Sequence, residues 1–361
     1  MPRHILEGNQ SAMICRPQQV ATASPCSRQR LLPMFVLGAI VAVYADRCLS
    51  YETSMPPCPI VTAPVSLPYL AEGKNRGVAV PGFVDLGPSR PVIHGVNVSK
   101  WQEDVNLFRV KECGGLFAYI RISAGLNPYW EISFSTLWPQ ARAARLYPGP
   151  YHHLTFVPPE KPVHGVSSLG RGSSAKMEQV FAVLGESQAN LFLDQMARLL
   201  SDPRWNLHLK YLPPMLDITE FPTAAGWAGV MTNERYQNVI CSWIRTVEGA
   251  RIFQGQRVII FTEAARYLES HVEDAGCIKG TERMLWITDP TPAAADLLVG
   301  QRDDSPLRRL CDPDHGLAKC RFHQYTNRGG KALGSVTAGL NVSRFLGTAT
   351  ELLNLTRAPP K

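Results

Sequence analysis

Short apolar runs bounded by turn residues recur along the chain from residue 92 onward, and helical patterns separate most of them. Apolar residues at helical spacing predict helices over Ile132–Leu146, Glu186–Leu200 and Asn233–Phe253. Strands that are apolar on both faces and alternate with helices are typical of a parallel sheet covered by helices. Seven or eight such units in about 260 residues favour an irregular α/β barrel of the (β/α)8, TIM-like type. The runs predict strands at Val92–Val98, Leu116–Ile122, Leu146–His152, Leu212–Ile218, Arg257–Thr262, Arg283–Ile287 and Arg321–Thr326.

Two segments depart from this alternation. The pattern over Cys320–Leu340 predicts an antiparallel hairpin that turns at Asn327-Arg328-Gly329-Gly330. Phe156–Lys176 is rich in Pro, Gly and Ser, and this composition predicts a surface loop inserted into the barrel.

The first ninety residues show no such alternation. Residues 31–45 form an apolar run behind Arg28 and Arg30, shorter than the roughly 20 residues of a membrane span. A basic flank, a short apolar core and a small-residue ending predict a secretory signal cleaved before Asp46, the alternative being an uncleaved membrane anchor. Residues 46–91 are Pro-rich and predict a linker. The sequence thus predicts a leader at 1–45, a linker at 46–91 and a barrel domain at 92–361 of a secreted or membrane-anchored protein.

Composition and charge exclude only a few classes of protein and of binding partner. The chain is 45% hydrophobic and 19% charged, which excludes a wholly disordered or fibrous protein. Lys and Arg number 37 against 30 Asp and Glu, so the net charge of +7 suits an anionic partner such as a cell wall or a membrane surface. Because no Lys/Arg-rich block is present, we expect no nucleic-acid partner. We expect a monomer.

Seven cysteines follow the predicted leader, as suits an oxidising compartment. Cys48 with Cys58 and Cys311 with Cys320 are close pairs in loop-like sequence, and a disulfide is predicted in each. Cys113, at an apolar helix end, is predicted to be a buried free thiol. The sequence contains no CxxC pair and no HExxH run, so neither a metal nor another cofactor is expected.

The chemistry of a parallel barrel lies where its strands end at their carboxyl edge. Several predicted strands end in polar and aromatic residues, and aromatic faces beside carboxylates and amides suit a carbohydrate site. The segments that carry these residues are Gly95–Gln102, Gly149–His153, Pro213–Thr219, Ile260–Thr262, Leu285–Ile287, His323–Thr326 and Gly339–Phe345.

In order and spacing, these segments resemble the glycoside hydrolase family 25 lysozymes, the Chalaropsis-type muramidases, over about residues 92–348. The resemblance implies a secreted barrel enzyme that cuts the β-1,4 bond between N-acetylmuramic acid and N-acetylglucosamine in peptidoglycan. Such chemistry needs one protonated carboxyl to donate to the leaving oxygen and a second carboxylate. The family supplies both from a D-x-E strand, with further aspartates on the first and last strands.

This sequence departs from the family at most of those carboxylates. Thr219 stands where the resemblance places the acid, and Asn97 and Asn341 stand at the first-strand and last-strand aspartates, so only Asp217 remains. Asp217 could act as acid only if burial raised its pKa. Glu220 is a possible replacement, although on a regular strand it would face away from Asp217 unless a bulge turned it back.

Five residues are candidates for substrate binding, each with packing as the alternative. They are Trp101, Tyr151, Trp286, Gln324 and Tyr325. His152 and His153 are expected to pack or to form internal hydrogen bonds rather than to act as bases. Arg121 could contact an anionic sugar substituent, although a structural ion pair is the simpler expectation.

Three functions therefore remain open at this point. The domain could bind peptidoglycan glycan without cutting it, it could be an active cell-wall glycosidase that uses Asp217 alone or with Glu220, or it could bind a protein partner beside a vestigial cleft. The missing carboxylates place binding slightly ahead of cleavage.

Overall fold

The computed structural model describes residues 93–102, 104–127, 134–156, 174–201, 210–222, 230–288, 320–327, 333–335 and 339–356, with two short strands before them. All of these residues belong to one compact unit, Pro56–Lys361. The predicted leader at 1–45, its alternative as an anchor and the predicted pair Cys48/Cys58 lie outside the described residues. No helix in the described ranges is long and apolar enough to cross a membrane.

Eight strands close into a barrel, which confirms the predicted α/β barrel. The seven strands from β3 to β9 pair in parallel in chain order, and β10 closes the barrel by pairing antiparallel with both β9 and β3. The barrel strands are β3 (Ile93–Val98), β4 (Phe117–Ala124), β5 (Tyr147–His153), β6 (Met215–Asp217), β7 (Ile259–Glu263), β8 (Leu285–Thr288), β9 (Cys320–Thr326) and β10 (Asn341–Phe345).

Two observations refine the predicted strands. The antiparallel partner of β9 is Asn341–Phe345, so the return strand lies beyond the predicted hairpin Cys320–Leu340. Strands β1 (Ile60–Thr62) and β2 (Phe83–Asp85) pair in parallel within the segment predicted as a linker. β-Branched and aromatic residues favour strands even in a Pro-rich context, which accounts for these short pairings.

Six α-helices are described. The three predicted helices are present as α2, α3 and α4, but α3 begins at Ser174, inside the segment predicted as a loop. Residues 157–173 of that segment lie outside the described residues. The helices are α1 (Leu107–Glu112), α2 (Phe134–Ala143), α3 (Ser174–Ser201), α4 (Asn233–Gly249), α5 (Ala264–Glu269) and α6 (Ala349–Leu355).

Aromatic side chains fill the inside of the barrel. The rings of Trp286 and Phe322 stack with centroids 4.8 Å apart, and Tyr119 meets Trp286 edge-on at 4.9 Å. Gly95 and Gly149 make room for this cluster, since a Cβ at Gly95 would lie 2.4 Å from the Phe117 ring and one at Gly149 would lie 2.5 Å from the Tyr119 ring. The inside of the barrel is therefore a packed core whose polar residues lie at its ends.

Each of the four cysteines within the described ranges is disulfide-bonded. A disulfide joins Cys241 on α4 to Cys277, a pair that spacing alone did not suggest. Cys113 is disulfide-bonded, so its prediction as a free thiol is wrong. A buried position near an apolar helix end does not distinguish a free thiol from a cystine, because both are apolar. Cys320 is also disulfide-bonded, and its pairing with Cys311 stays a prediction.

Candidate functional site

Polar side chains from several strands meet at the carboxyl end of the barrel. The parallel pairing of β5 and β6 puts His153 directly beside Asp217. The antiparallel pairing of β10 and β3 puts Asn341 beside Asn97. We call this end, where β3 to β9 terminate, the barrel mouth.

The Asp217 carboxylate is held by two neighbours on different elements. Thr219 donates both its hydroxyl, at 2.6 Å, and its backbone N–H, at 3.0 Å, to Oδ1 of Asp217. The Nδ1 atom of His153 lies 2.9 Å from Oδ2 of the same carboxylate. This contact is an ion pair at hydrogen-bond distance, in which the N–H and the carboxylate oxygen are not collinear.

These neighbours determine the charge of Asp217. Burial raises the pKa of the Asp217 carboxyl, but the charge of His153 and the hydrogen bonds from Thr219 outweigh it, and the pKa is lowered overall. Asp217 is therefore a carboxylate at neutral pH. The condition under which Asp217 could donate a proton, burial without a charged neighbour, is not met, because the His153 cation lies beside the carboxylate.

His153 carries the opposite charge. Burial lowers the pKa of the His153 imidazole, but the carboxylates of Asp217 and Glu220 raise it to about 9. The charge of Arg121 acts on His153 in the lowering direction. His153 is thus an imidazolium at neutral pH, whereas its sequence context indicated a packing residue. The signal that could have found the pair is parallel register, since the last residues of two neighbouring strands lie side by side.

Glu220 completes this cluster from the chain that follows β6. Its Oε2 atom lies 3.4 Å from Nε2 of His153, and the Glu220 side chain is 43% exposed. Strand β6 ends at Asp217, so strand alternation does not set the direction of Glu220. The Tyr236 hydroxyl lies 2.9 Å from the carbonyl oxygen of Ile218 and 3.4 Å from that of Glu220, and it donates to this bent segment. Glu220 therefore contacts the same imidazole ring that contacts Asp217, and it does not face away from this cluster.

His152 differs from its neighbour in every respect. It is fully buried and stacks on Trp243 with ring centroids 5.6 Å apart. The Ser123 hydroxyl lies 2.8 Å from Nδ1, and Oε1 of Gln188 lies 3.0 Å from Nε2. Because the Gln188 amide nitrogen donates to Thr155, its oxygen faces His152, which assigns the proton to Nε2. Burial lowers the pKa of His152 to about 3, and this histidine has the structural role expected of it.

Amides and hydroxyls lie near the other positions at which the sequence resemblance predicts carboxylates. The Ser343 hydroxyl donates to Oδ1 of Asn97 at 3.3 Å. Gln324 is 5% exposed, and its Oε1 atom is buried without a hydrogen-bond partner among the described residues. An unsatisfied carbonyl oxygen at a strand end can accept a ligand N–H or O–H.

The four aromatic candidates lie in three different environments: the surface, the barrel core and the outer layer of the barrel. Trp101 is 68% exposed directly after β3, with the Lys100 ammonium 4.8 Å from its ring centroid. Tyr151 and Trp286 are buried in the barrel core, so Trp286 has the packing role. Tyr325 belongs to the outer layer of the barrel, where its hydroxyl lies 3.4 Å from Nδ1 of His94. Of these four aromatic residues, Trp101 is the one that is largely exposed to solvent.

A group of metal-type ligands occurs on the turn after α5. Ligand atoms of His271, Glu273 and Asp274 lie within 4.8 Å of one another. The group is largely exposed, and the Lys279 ammonium lies 3.1 Å from Asp274. Exposed acidic groups of this kind are common without an ion.

Sequence comparison finds one type of curated relative. No family model matches the chain. The chain is similar to Lysozyme M1 of Streptomyces globisporus, at 27% identity over 174 residues. The match covers 48% of this chain and 47% of the relative, so the chain spans about half the length of the curated relative it matches. The resemblance to lysozymes predicted from the motifs is confirmed by this match.

Comparison with solved structures finds lysozymes and a family 25 glycosyl hydrolase. A bacterial lysozyme from Streptomyces coelicolor is 23% identical with a TM-score of 0.46, and the alignment covers 73% of this chain and 96% of that one. A family 25 glycosyl hydrolase from Bacillus anthracis is 20% identical with a TM-score of 0.48, covering 74% and 94% of the two chains. A family GH25 lysozyme from Aspergillus fumigatus is 19% identical with a TM-score of 0.47, covering 73% and 99%.

Proposed function

We propose that the barrel mouth recognises peptidoglycan-type glycan, the β-1,4-linked polymer of N-acetylmuramic acid and N-acetylglucosamine. The sequence similarity to a lysozyme supports this ligand class. The observation that carries the proposal is the polar mouth itself, in which Asn97, Asp217 and Gln324 lie toward the carboxyl ends of separate strands and the exposed Trp101 follows the first of these strands. A sugar presents hydroxyl edges to such groups and a C–H face to such a ring.

Recognition is favoured over cleavage by the family route. That route needs a protonated carboxyl beside a second carboxylate. Thr219 supplies no carboxyl, and the Asp217 carboxylate is held in its charged form by His153. The secreted or membrane-anchored location inferred from residues 1–45 would place this mouth where such a glycan occurs.

Sedimentation with insoluble peptidoglycan tests the proposal. The full-length chain is expected to pellet with peptidoglycan and to stay in solution with cellulose, which lacks acetamido groups. Trp101→Ala is expected to weaken the binding by about tenfold, since one aromatic stacking contact contributes about 1 kcal/mol beyond its area. Val183→Ala removes exposed apolar surface from α3 and is the matched control.

The outcomes separate the alternatives. Binding that is lost in the Trp101 variant and kept in the Val183 variant supports recognition at the mouth. A wild-type chain that stays in solution with peptidoglycan contradicts the proposal and favours the reading in which the barrel surface binds a protein partner.

A further inference from the structure

We propose that His153 is the proton donor of the barrel mouth, with Asp217 as the carboxylate that orients and charges its imidazole; this inference rests on the proposed recognition of glycan. The family pattern has an aromatic residue at this position, so the proposed donor is a property of this chain. It replaces the carboxyl group that Thr219 lacks.

The geometry provides a donor with one nitrogen anchored and one directed outward. The Nδ1 atom of His153 lies 2.9 Å from Asp217, while Nε2 lies 3.4 Å from the exposed carboxylate of Glu220. The His153 side chain is 20% exposed, so the imidazole is accessible from the mouth. Because the Glu220 side chain is 43% exposed, it can swing into solvent and leave Nε2–H to a ligand oxygen.

The His153–Asp217 pair has the same net charge as a carboxylic acid both before and after it gives up one proton. An imidazolium beside a carboxylate has a net charge of zero, and after giving up one proton the pair has a net charge of −1. A neutral carboxylic acid passes through the same two charges when it protonates a leaving group. Proton transfer from His153 would therefore expose the Asp217 carboxylate as the sugar develops positive charge, which is when a carboxylate stabilises it most.

The proposed reaction balances without any further reactant than water. The Nε2 proton of His153 passes to the glycosidic oxygen, the bond from C1 to that oxygen breaks, and its electron pair stays on the departing oxygen. The oxygen of a water molecule then bonds to C1 of the oxocarbenium ion, and the proton that it loses returns to Nε2. His153 is regenerated as an imidazolium, and Glu220 is a positioning residue that holds the ring toward the mouth.

Four charged or titratable groups set the pH range of this donor. Asp217 on β6 and Glu220 after it raise the pKa of His153, whereas Arg121 on β4 lowers it. His152, the neighbour on β5, is fully buried and hydrogen-bonded on both ring nitrogens. Activity that depends on protonated His153 is expected to be constant at neutral pH and to fall as the pH rises through about 9.

The experiment measures release of reducing ends from purified peptidoglycan between pH 5 and pH 10, with sedimentation on the same samples. His153→Gln in the full-length chain is expected to reduce release at least about 100-fold while binding changes less than about threefold. Asp217→Asn is expected to shift the alkaline limit from about 9 toward the ordinary histidine value of 6.5. His271→Gln, an exposed histidine on the turn after α5, is the control and is expected to behave as wild type.

Each result decides one of the two proposals. Equal release by wild type and His153→Gln overturns His153 as the donor, and so does a wild-type chain that binds peptidoglycan but releases no ends at any pH. An activity limit near the pH of ordinary carboxyl groups, which is read from the wild type alone, overturns it even if the His153 variant does not fold. Failure of wild type to bind contradicts the proposed function instead.

Discussion

Thr219 donates its hydroxyl to the carboxylate of Asp217 at 2.6 Å, so the residue at the position where the sequence resemblance predicts an acid is a hydrogen-bond donor to the Asp217 carboxylate. The contact converts a pair that would share like charge into a pair of donor and acceptor. Together with His153 it keeps Asp217 charged although the carboxyl is buried.

Thr219→Val removes this hydroxyl at nearly constant volume. The free energy of unfolding is expected to fall by about 2 kcal/mol, because the lost hydrogen bond has a charged acceptor. Thr246→Val is the matched control, since the Thr246 hydroxyl donates to the neutral carbonyl of Ser242 at 2.9 Å, and it is expected to cost about 1 kcal/mol or less. Urea unfolding near pH 7 measures both. Equal losses would show that the charge of Asp217 does not strengthen the Thr219 contact.

Restoring a glutamate at 219 is expected to be insufficient for cleavage by the family route. A carboxylate at Thr219→Glu lies beside Asp217, whose repulsion raises its pKa, but also beside the His153 imidazolium, whose attraction lowers it. Thr219→Glu/His153→Phe removes the cation, so its release of reducing ends is expected to fall as the pH rises above the range of an ordinary carboxyl group, whereas release by Thr219→Glu alone keeps the limit near 9 that His153 sets. A double variant whose release is constant up to pH 9 would show that the glutamate at 219 is not its acid.

The two adjacent histidines are expected to titrate on opposite sides of neutrality. His153 is paired with carboxylates and its pKa is about 9, whereas His152 is buried between neutral partners and its pKa is about 3. Nitrogen-15 NMR of the imidazole rings measures both directly and is expected to show His152 neutral, with its proton on Nε2. Two rings that both titrate near pH 6.5 would contradict the ion pair.

The ion pair is expected to make stability depend on pH in the alkaline range. The pKa of His153 is about 9 in the folded protein against 6.5 for an ordinary histidine. The stabilisation is therefore fully present below pH 6.5 and is lost as the pH rises through 9. The difference in unfolding free energy between wild type and His153→Gln is expected to shrink by about 3 kcal/mol between pH 6 and pH 10. A difference that is the same at both pH values would contradict a charged His153.

The disulfide between Cys241 and Cys277 is expected to stabilise the outer helices. It closes a loop with a sequence separation of 36 residues. Replacing both cysteines by serine is expected to lower the free energy of unfolding by about 2–4 kcal/mol through the larger freedom of the unfolded chain. Thermal unfolding of the variant beside wild type, both without reductant, measures the loss. An unchanged melting temperature would show that packing alone holds this segment.

The strands were predictable because each buries both faces in this fold. Most of the observed strand bounds fall within a few residues of the apolar runs. A strand that is buried on both faces is apolar at nearly every position, so the apolar run marks the extent of the strand. Strand β6 is the exception and begins only at Met215. Pro213 and Pro214 have no N–H to donate to a ladder, so the regular pairing starts after them.

The positions of the site residues were less predictable than the strands. Where a strand is apolar throughout, the sequence pattern does not show which side chains face the inside of the barrel. In Leu285-Trp286-Ile287 all three residues are apolar, so periodicity cannot say which face Trp286 occupies, and it lies in the core. The charge of His153 depends on a residue 64 positions away in sequence, brought beside it by strand register. Sequence alone predicts that Asn97, Thr219 and Asn341 replace carboxylates of the family that the chain resembles, but it does not reveal the cation that lies beside Asp217.

The aromatic rings that fill the barrel also decide how a polymer can approach it. With Phe117, Tyr119 and Trp286 fully buried across the interior, the described part of the barrel has no passage along its axis. Under the proposed function, a long glycan would therefore cross the mouth sideways, with both of its termini outside the protein. Attachment would then be open to any point of an uninterrupted mesh, and the number of attachment points would grow with the length of the polymer rather than with the number of its ends.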